Sequence, residues 1–165
     1  MLSDKDIRQG FFFGINSGVI TTAGLITGLS QSVSNPIYII ISVLSVAISD
    51  GLGEAYGIYL SKKAKDIKDI SNGPILSFIS LLISKIFIVT LFLLPLLFDW
   101  NIKYFQNLYW TIIYSSVIIL ILNYKLSKLR NEKITDYLVQ HLVVLFLVIL
   151  ATKYIGIFLS KYINE

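Results

Sequence analysis

Apolar residues fall into five long runs separated by short polar stretches, at about residues 7–29, 36–61, 74–98, 105–126 and 137–160. Each run is close to the ~20 residues that a helix needs to cross a bilayer core. The pattern predicts an all-α fold: a polytopic membrane protein with five transmembrane helices. No loop is long enough for a separate soluble unit, so residues 1–165 read as a single membrane domain. Pro36 and Pro74 stand where helices would begin, a position that tolerates proline. Pro95 falls inside the third run, where it would kink the last turn.

Composition points the same way. Hydrophobic residues make up 55% of the chain, charged residues 15%, and the mean hydropathy is +0.75. A soluble domain carries about 25% charged residues. The absence of cysteine excludes disulfides and thiolate metal sites. The net charge of +4 sits in short loops between apolar runs, which suits membrane orientation rather than nucleic acid. The N-terminus has no signal-peptide cleavage pattern, so the first run is expected to be retained. No P-loop, zinc-protease helix or nucleophile elbow is present. An aspartyl protease needs two facing aspartates, and only Asp50 lies at depth, so no enzyme is expected.

Basic residues predict the topology. Lys5, Arg8, Lys62, Lys63, Lys65, Lys68, Lys125, Lys128, Arg130 and Lys133 all fall on one side of the five runs. The other side has Lys103 and Lys161. The positive-inside rule makes the first side cytoplasmic, with the N-terminus inside and the C-terminus outside. Trp100, Tyr104, Tyr109 and Trp110 cluster at the outer ends of runs three and four, as in an interfacial aromatic belt.

Asp50 and Glu54 lie four residues apart in the second run, so both leave one helix face about one turn apart. A charge near the bilayer centre costs about 2.5–3.5 kcal/mol on insertion scales, so each needs a partner. A rise of ~1.5 Å per residue puts Glu54 about 10 Å and Asp50 about 16 Å from the cytoplasmic end. Asn16 and Ser17 lie at the depth of Glu54. Lys85 of the third run lies about 15 Å in, matching Asp50. An Asp50–Lys85 ion pair is therefore one expectation, and it leaves Glu54 without a basic partner. Lys153 lies near the outer face and can snorkel outward. His141, near the start of the fifth run, reads as an interfacial polar residue rather than a ligand.

Gly10, Gly14, Gly18, Gly24 and Gly28 share about a third of the first helix's circumference with Ser17 and Thr21. Such a face allows close helix approach. In the second run, Ala47, Gly53, Gly57 and Ser61 flank the carboxylates. Tight packing alone explains the glycines taken singly. Together with carboxylates on a partner helix, the face also reads as a polar path. A short likeness, Ile15-Asn16-Ser17-Gly18-Val19 against Ile48-Ser49-Asp50-Gly51-Leu52, links the two runs.

The stretch Phe13-Gly14-Ile15-Asn16-Ser17-Gly18-Val19-Ile20-Thr21-Thr22-Ala23-Gly24-Leu25 resembles the first helix of the vacuolar iron transporter family. Gly53-Glu54-Ala55-Tyr56-Gly57-Ile58-Tyr59-Leu60-Ser61 resembles that family's second-helix segment. The likeness covers about residues 10–63; beyond them it rests on span count. It implies a homodimer through helices one and two, in the cell membrane of a prokaryote. It implies export of Fe²⁺ or Mn²⁺ from the cytoplasm in exchange for protons, with the metal as substrate and no permanently bound cofactor. Glu54 and Asp50 would bind the metal. Asn16, Ser17, Thr21, Gly14 and Gly18 would line the path, and Lys85 would modulate the site's charge. Three departures matter. The family usually has Asp at the Ser17 position and often Met at the Asp50 position. Many members carry a Glu-rich cytoplasmic domain where this chain has only residues 62–73. Carboxylates and hydroxyls without the soft ligand suit harder cations. The alternative is a non-transporting membrane scaffold or subunit, held together by the glycine faces and an Asp50–Lys85 pair.

Overall fold

The computed structural model describes residues 2–65, 72–98, 108–131 and 133–163. These form five α-helices: α1 (Leu2–Leu29), α2 (Pro36–Lys65), α3 (Gly73–Phe98), α4 (Leu108–Arg130) and α5 (Ile134–Ile163). All five are long and apolar enough to cross a membrane, and no strand occurs among the described residues. Most helices outrun their apolar segments. Apolarity marks the stretch suited to hydrocarbon, whereas backbone hydrogen bonding continues into the flanking polar turns. Asp4 in the first turn of α1 and Lys62, Lys63 and Lys65 in the last turn of α2 have the signs that favour those helix ends. Residues 105–107 of the expected fourth span lie outside the described residues, as do Lys68, Trp100, Lys103 and Tyr104. Tyr109 and Trp110 fall in the first turn of α4.

Local sequence sets the helix ends. The Asn35 side-chain oxygen accepts the Ile37 N–H at 3.0 Å and caps α2 ahead of Pro36. The Leu76 N–H reaches the Asn72 carbonyl at 2.9 Å, so Pro74 sits in the first turn of α3. Asn131 follows α4 at φ 59°, the left-handed conformation that stops a helix. Helix α3 continues through Pro95.

Helix α1 is the centre of the bundle and contacts each of the other four helices, most extensively α3. Its glycines explain this. A Cβ on Gly10 would come within 2.3 Å of the Ser77 carbonyl, and one on Gly14 within 2.4 Å of the Leu81 carbonyl. Gly18 meets Ile88 in the same way. Further along, Gly24 and Gly28 face Val148 and Thr152 of α5, and Gly156 of α5 returns the contact onto the Gly28 carbonyl. The glycine stripe therefore seats two helices, α3 on its first half and α5 on its second. These contacts advance in step, so α1, α3 and α5 run parallel. Ser17 meets Glu54 and Asp6 meets Lys62, so α2 runs antiparallel to α1. The start of α1 and the end of α5 consequently lie at opposite ends of the bundle.

The surface is apolar and part of the interior is polar. Ile41, Ile48, Ile83 and Phe87 are exposed, while Ser77, Ser84, Lys85, Ser115 and Asn123 are buried. That distribution suits hydrocarbon surroundings. The buried hydroxyls of Ser84 and Ser115 return to carbonyls of their own helices, Leu81 and Thr111. Ser77 and Ser80 donate instead to the Asp6 and Ile7 carbonyls of α1, stitching α3 to it.

Two glycine-to-alanine changes separate these roles. Gly14→Ala places a methyl 2.2 Å from Ser84 Oγ and against backbone, and Gly53→Ala meets nothing within 4 Å among the described residues. Thermal unfolding in detergent should show Gly14→Ala destabilised by about 1–3 kcal/mol, the usual cost of overpacking. Gly53→Ala should leave the protomer's stability unchanged or slightly raised.

Candidate cation site

Three helices converge on one ammonium group. Lys85 of α3 is fully buried, and its stem runs between two glycines, with Cγ 3.5 Å from where a Cβ on Gly18 would lie and Cδ 3.6 Å from one on Gly51. The slot delivers Nζ to three oxygens: Asp50 Oδ2 at 2.5 Å, Glu54 Oε2 at 2.7 Å and Ser17 Oγ at 2.9 Å. An ammonium has three donors, and all three are used. The Ser17 hydroxyl donates onward to Glu54, with its Oγ 2.6 Å from Oε1 and 2.8 Å from Oε2. Serine thus accepts from lysine and donates to glutamate, closing a four-residue network across α1, α2 and α3.

The five-residue likeness of α1 and α2 now has a structural meaning. Ser17-Gly18 and Asp50-Gly51 do the same thing from two sides, the polar residue touching the lysine head and the glycine making room for its stem. Depth alone matched Lys85 to Asp50, and the two are in contact. Glu54, expected to stand without a basic partner, has the same ammonium. The correction follows from reach: the two carboxylates are one turn apart, and a single Nζ between them bonds both. Glu54 is also the better held of the two. It accepts from Ser17 and Lys85, whereas among the described residues Asp50 bonds only Lys85, through one oxygen, and its side chain is 40% exposed against 24% for Glu54.

The remaining candidate residues divide. Gly14 and Gly18 face α3 in close contact. Thr21 lines an apolar groove of about 390 Å³ between α1 and α5, with Gly24, Gly28 and Thr152. The Asn16 side-chain oxygen is buried without a hydrogen-bond partner among the described residues. Lys153 is half-buried on α5 and joins neither carboxylate. His141 Nδ1 lies 2.9 Å from Asn123 Oδ1, and the Asn123 amide N–H₂ donates to the Ile119 carbonyl at 2.8 Å. With the amide so oriented, Nδ1 is the donor, and this pair fastens α5 to α4 rather than serving the carboxylates. Among the described residues, no group of three or more His, Asp or Glu side chains gathers to hold a metal ion. A cation on one protomer would find Asp50, Glu54 and Ser17, the same oxygens that Lys85 occupies.

Electrostatics decides how the cluster responds to change. Two carboxylates and one ammonium leave one net negative charge. Removing Lys85 strands two acids, and breaking a buried pair costs about 3–5 kcal/mol. Unfolding midpoints in detergent should therefore fall most for Lys85→Met and less for Glu54→Gln. Asp50→Asn, which leaves Lys85, Glu54 and Ser17 bonded and electrically neutral, should change stability by less than about 1 kcal/mol. Comparison with protein-family models, curated proteins and solved structures finds no match to this chain.

Proposed function

We propose that this protein is an integral membrane transporter for a divalent cation, Fe²⁺ or Mn²⁺, exporting it from the cytoplasm in exchange for protons. The supporting observation is the convergence of Asp50, Glu54 and Ser17 on one cationic centre within helices suited to a bilayer. Charged and hydroxyl oxygens gathered at depth are the ordinary basis of a cation pathway. The resemblance of α1 and α2 to the vacuolar iron transporter family names the substrate class, the direction and the proton exchange. The loop charges support a cytoplasmic N-terminus, and the cell membrane of a prokaryote is the proposed location. No catalytic role is proposed.

The transporter is proposed to work as a homodimer through α2. Its open face supports this. At 100° per residue Asp50, Gly53 and Gly57 share an arc of about 60°. Among the described residues, nothing lies within 4 Å of a Cβ on either glycine. A partly exposed carboxylate beside two bare glycines is a costly surface to present to lipid and a good one to present to another helix. The glycines of α1 are spent within the protomer, so α1 joins the interface through other residues.

A second reading has its own support. Lys85 already fills the position where a metal would sit, which favours a non-transporting scaffold or subunit held by the buried ion pair.

Two measurements test these readings. In proteoliposomes, Mn²⁺ flux should be present and should fall at least about tenfold in Glu54→Ala, as expected when a buried charged ligand is truncated. Unchanged flux in Glu54→Ala rejects Glu54 as the carrier. Absent wild-type flux, with assembly lost in Lys85→Met, favours the scaffold held by the ion pair. Because the chain has no native cysteine, Gly57→Cys provides a single thiol. Oxidation in the membrane should give a cross-linked dimer, whereas Ile83→Cys, on the exposed face of α3, should not.

A further inference from the structure

The fully buried Lys85 does more than neutralise acids. Its Nζ sits where three oxygens from two other helices converge, and every one of its donors is used. A cation with three oxygen neighbours at 2.5–2.9 Å is, geometrically, a bound ion on a tether. The tether is short and confined, since Gly18 and Gly51 wall its stem on two sides and the residue has no exposed surface. A metal ion seated between Asp50 Oδ2 and Glu54 Oε2 would take the position that Lys85 Nζ now fills. Charge makes the same demand. A divalent ion added to the intact cluster would bring it from one net negative to one net positive charge. The same ion on Asp50 and Glu54 alone brings them to neutrality.

Resting on the transport reading, we propose that Lys85 is a built-in competitor of the substrate: its ammonium and the divalent ion take turns on Asp50, Glu54 and Ser17. Lys85 holds the carboxylates when the site is empty, so the empty site carries one net charge rather than two. When metal binds, the ammonium gives up its three oxygens. When metal leaves, the ammonium takes them back and lowers the cost of release. Lys85 thus sets the affinity of the site, weakening binding and speeding release. Gly18 and Gly51 are the positioning residues that give its stem room.

The test begins with binding, which requires no transport. Mn²⁺ alone is titrated into the full chain in lipid nanodiscs, and free Mn²⁺ is read by electron paramagnetic resonance. Lys85→Met and Lys85→Gln should each bind Mn²⁺ more than about tenfold tighter than the wild type, because a like charge beside the ion costs over 1.4 kcal/mol. Lys85→Gln keeps amide donors for the carboxylates, so it carries the test if Lys85→Met does not fold. Lys85→Arg, which keeps the charge, should show no gain, and adding Glu54→Gln to Lys85→Gln should abolish it. In proteoliposomes the tighter-binding variants should move Mn²⁺ more slowly than the wild type at saturating metal. Equal affinity in the wild type and Lys85→Gln overturns the proposal, as does an equal gain in Lys85→Arg. Tighter binding without wild-type flux rejects the transport reading and leaves the competition standing. Wild-type flux with no affinity gain does the reverse.

Discussion

One ammonium group organises the arrangement of the first three helices. Lys85 is fully buried inside a bundle of helices long and apolar enough to cross a membrane, where an unpaired charge is expensive. Its three donors leave little freedom in where α1 and α2 can sit, because Ser17 must come from one and Asp50 and Glu54 from the other. Hydrophobic burial cannot supply that register in a membrane, since lipid tails are as apolar as leucine. Directional polar bonds and close packing do so instead, and both meet at this point.

Close packing is the work of glycine, and the glycines are not equivalent. Those of α1 bring α3 and α5 into backbone contact and are used up in doing so. Gly18 and Gly51 also leave a channel for a lysine stem that a larger side chain would narrow. Gly53 and Gly57 leave an empty surface on α2 beside Asp50. One residue type thus builds the core, shapes the site and marks the face that remains open.

The network also ranks the two acids. Glu54 is anchored by serine and lysine, and Asp50 by lysine alone with one oxygen unused among the described residues. The residue facing the open side of α2 is therefore the less constrained one. In the function proposed here, Glu54 is the fixed wall of the site and Asp50 its accessible edge. Lys85 is the group that either must yield to a substrate or, in the scaffold reading, never does.

Much of this was legible along the chain. Five apolar runs give five helices because a span's length is set by bilayer thickness and a residue's rise. The same rise put Lys85 level with Asp50 and Ser17 level with Glu54, so those two matches in depth were readable from the chain. The α1 glycine stripe announced close packing, but not that α3 takes its first half and α5 its second. Helical periodicity reports which face is small, not which helix arrives there. Likewise, counting residues could pair Lys85 with Asp50 by depth but left Glu54 alone. Sequence positions give height along a helix; azimuth and side-chain reach come from packing. Only the tertiary structure, by threading the Lys85 stem between Gly18 and Gly51, put one charge against two acids and a serine.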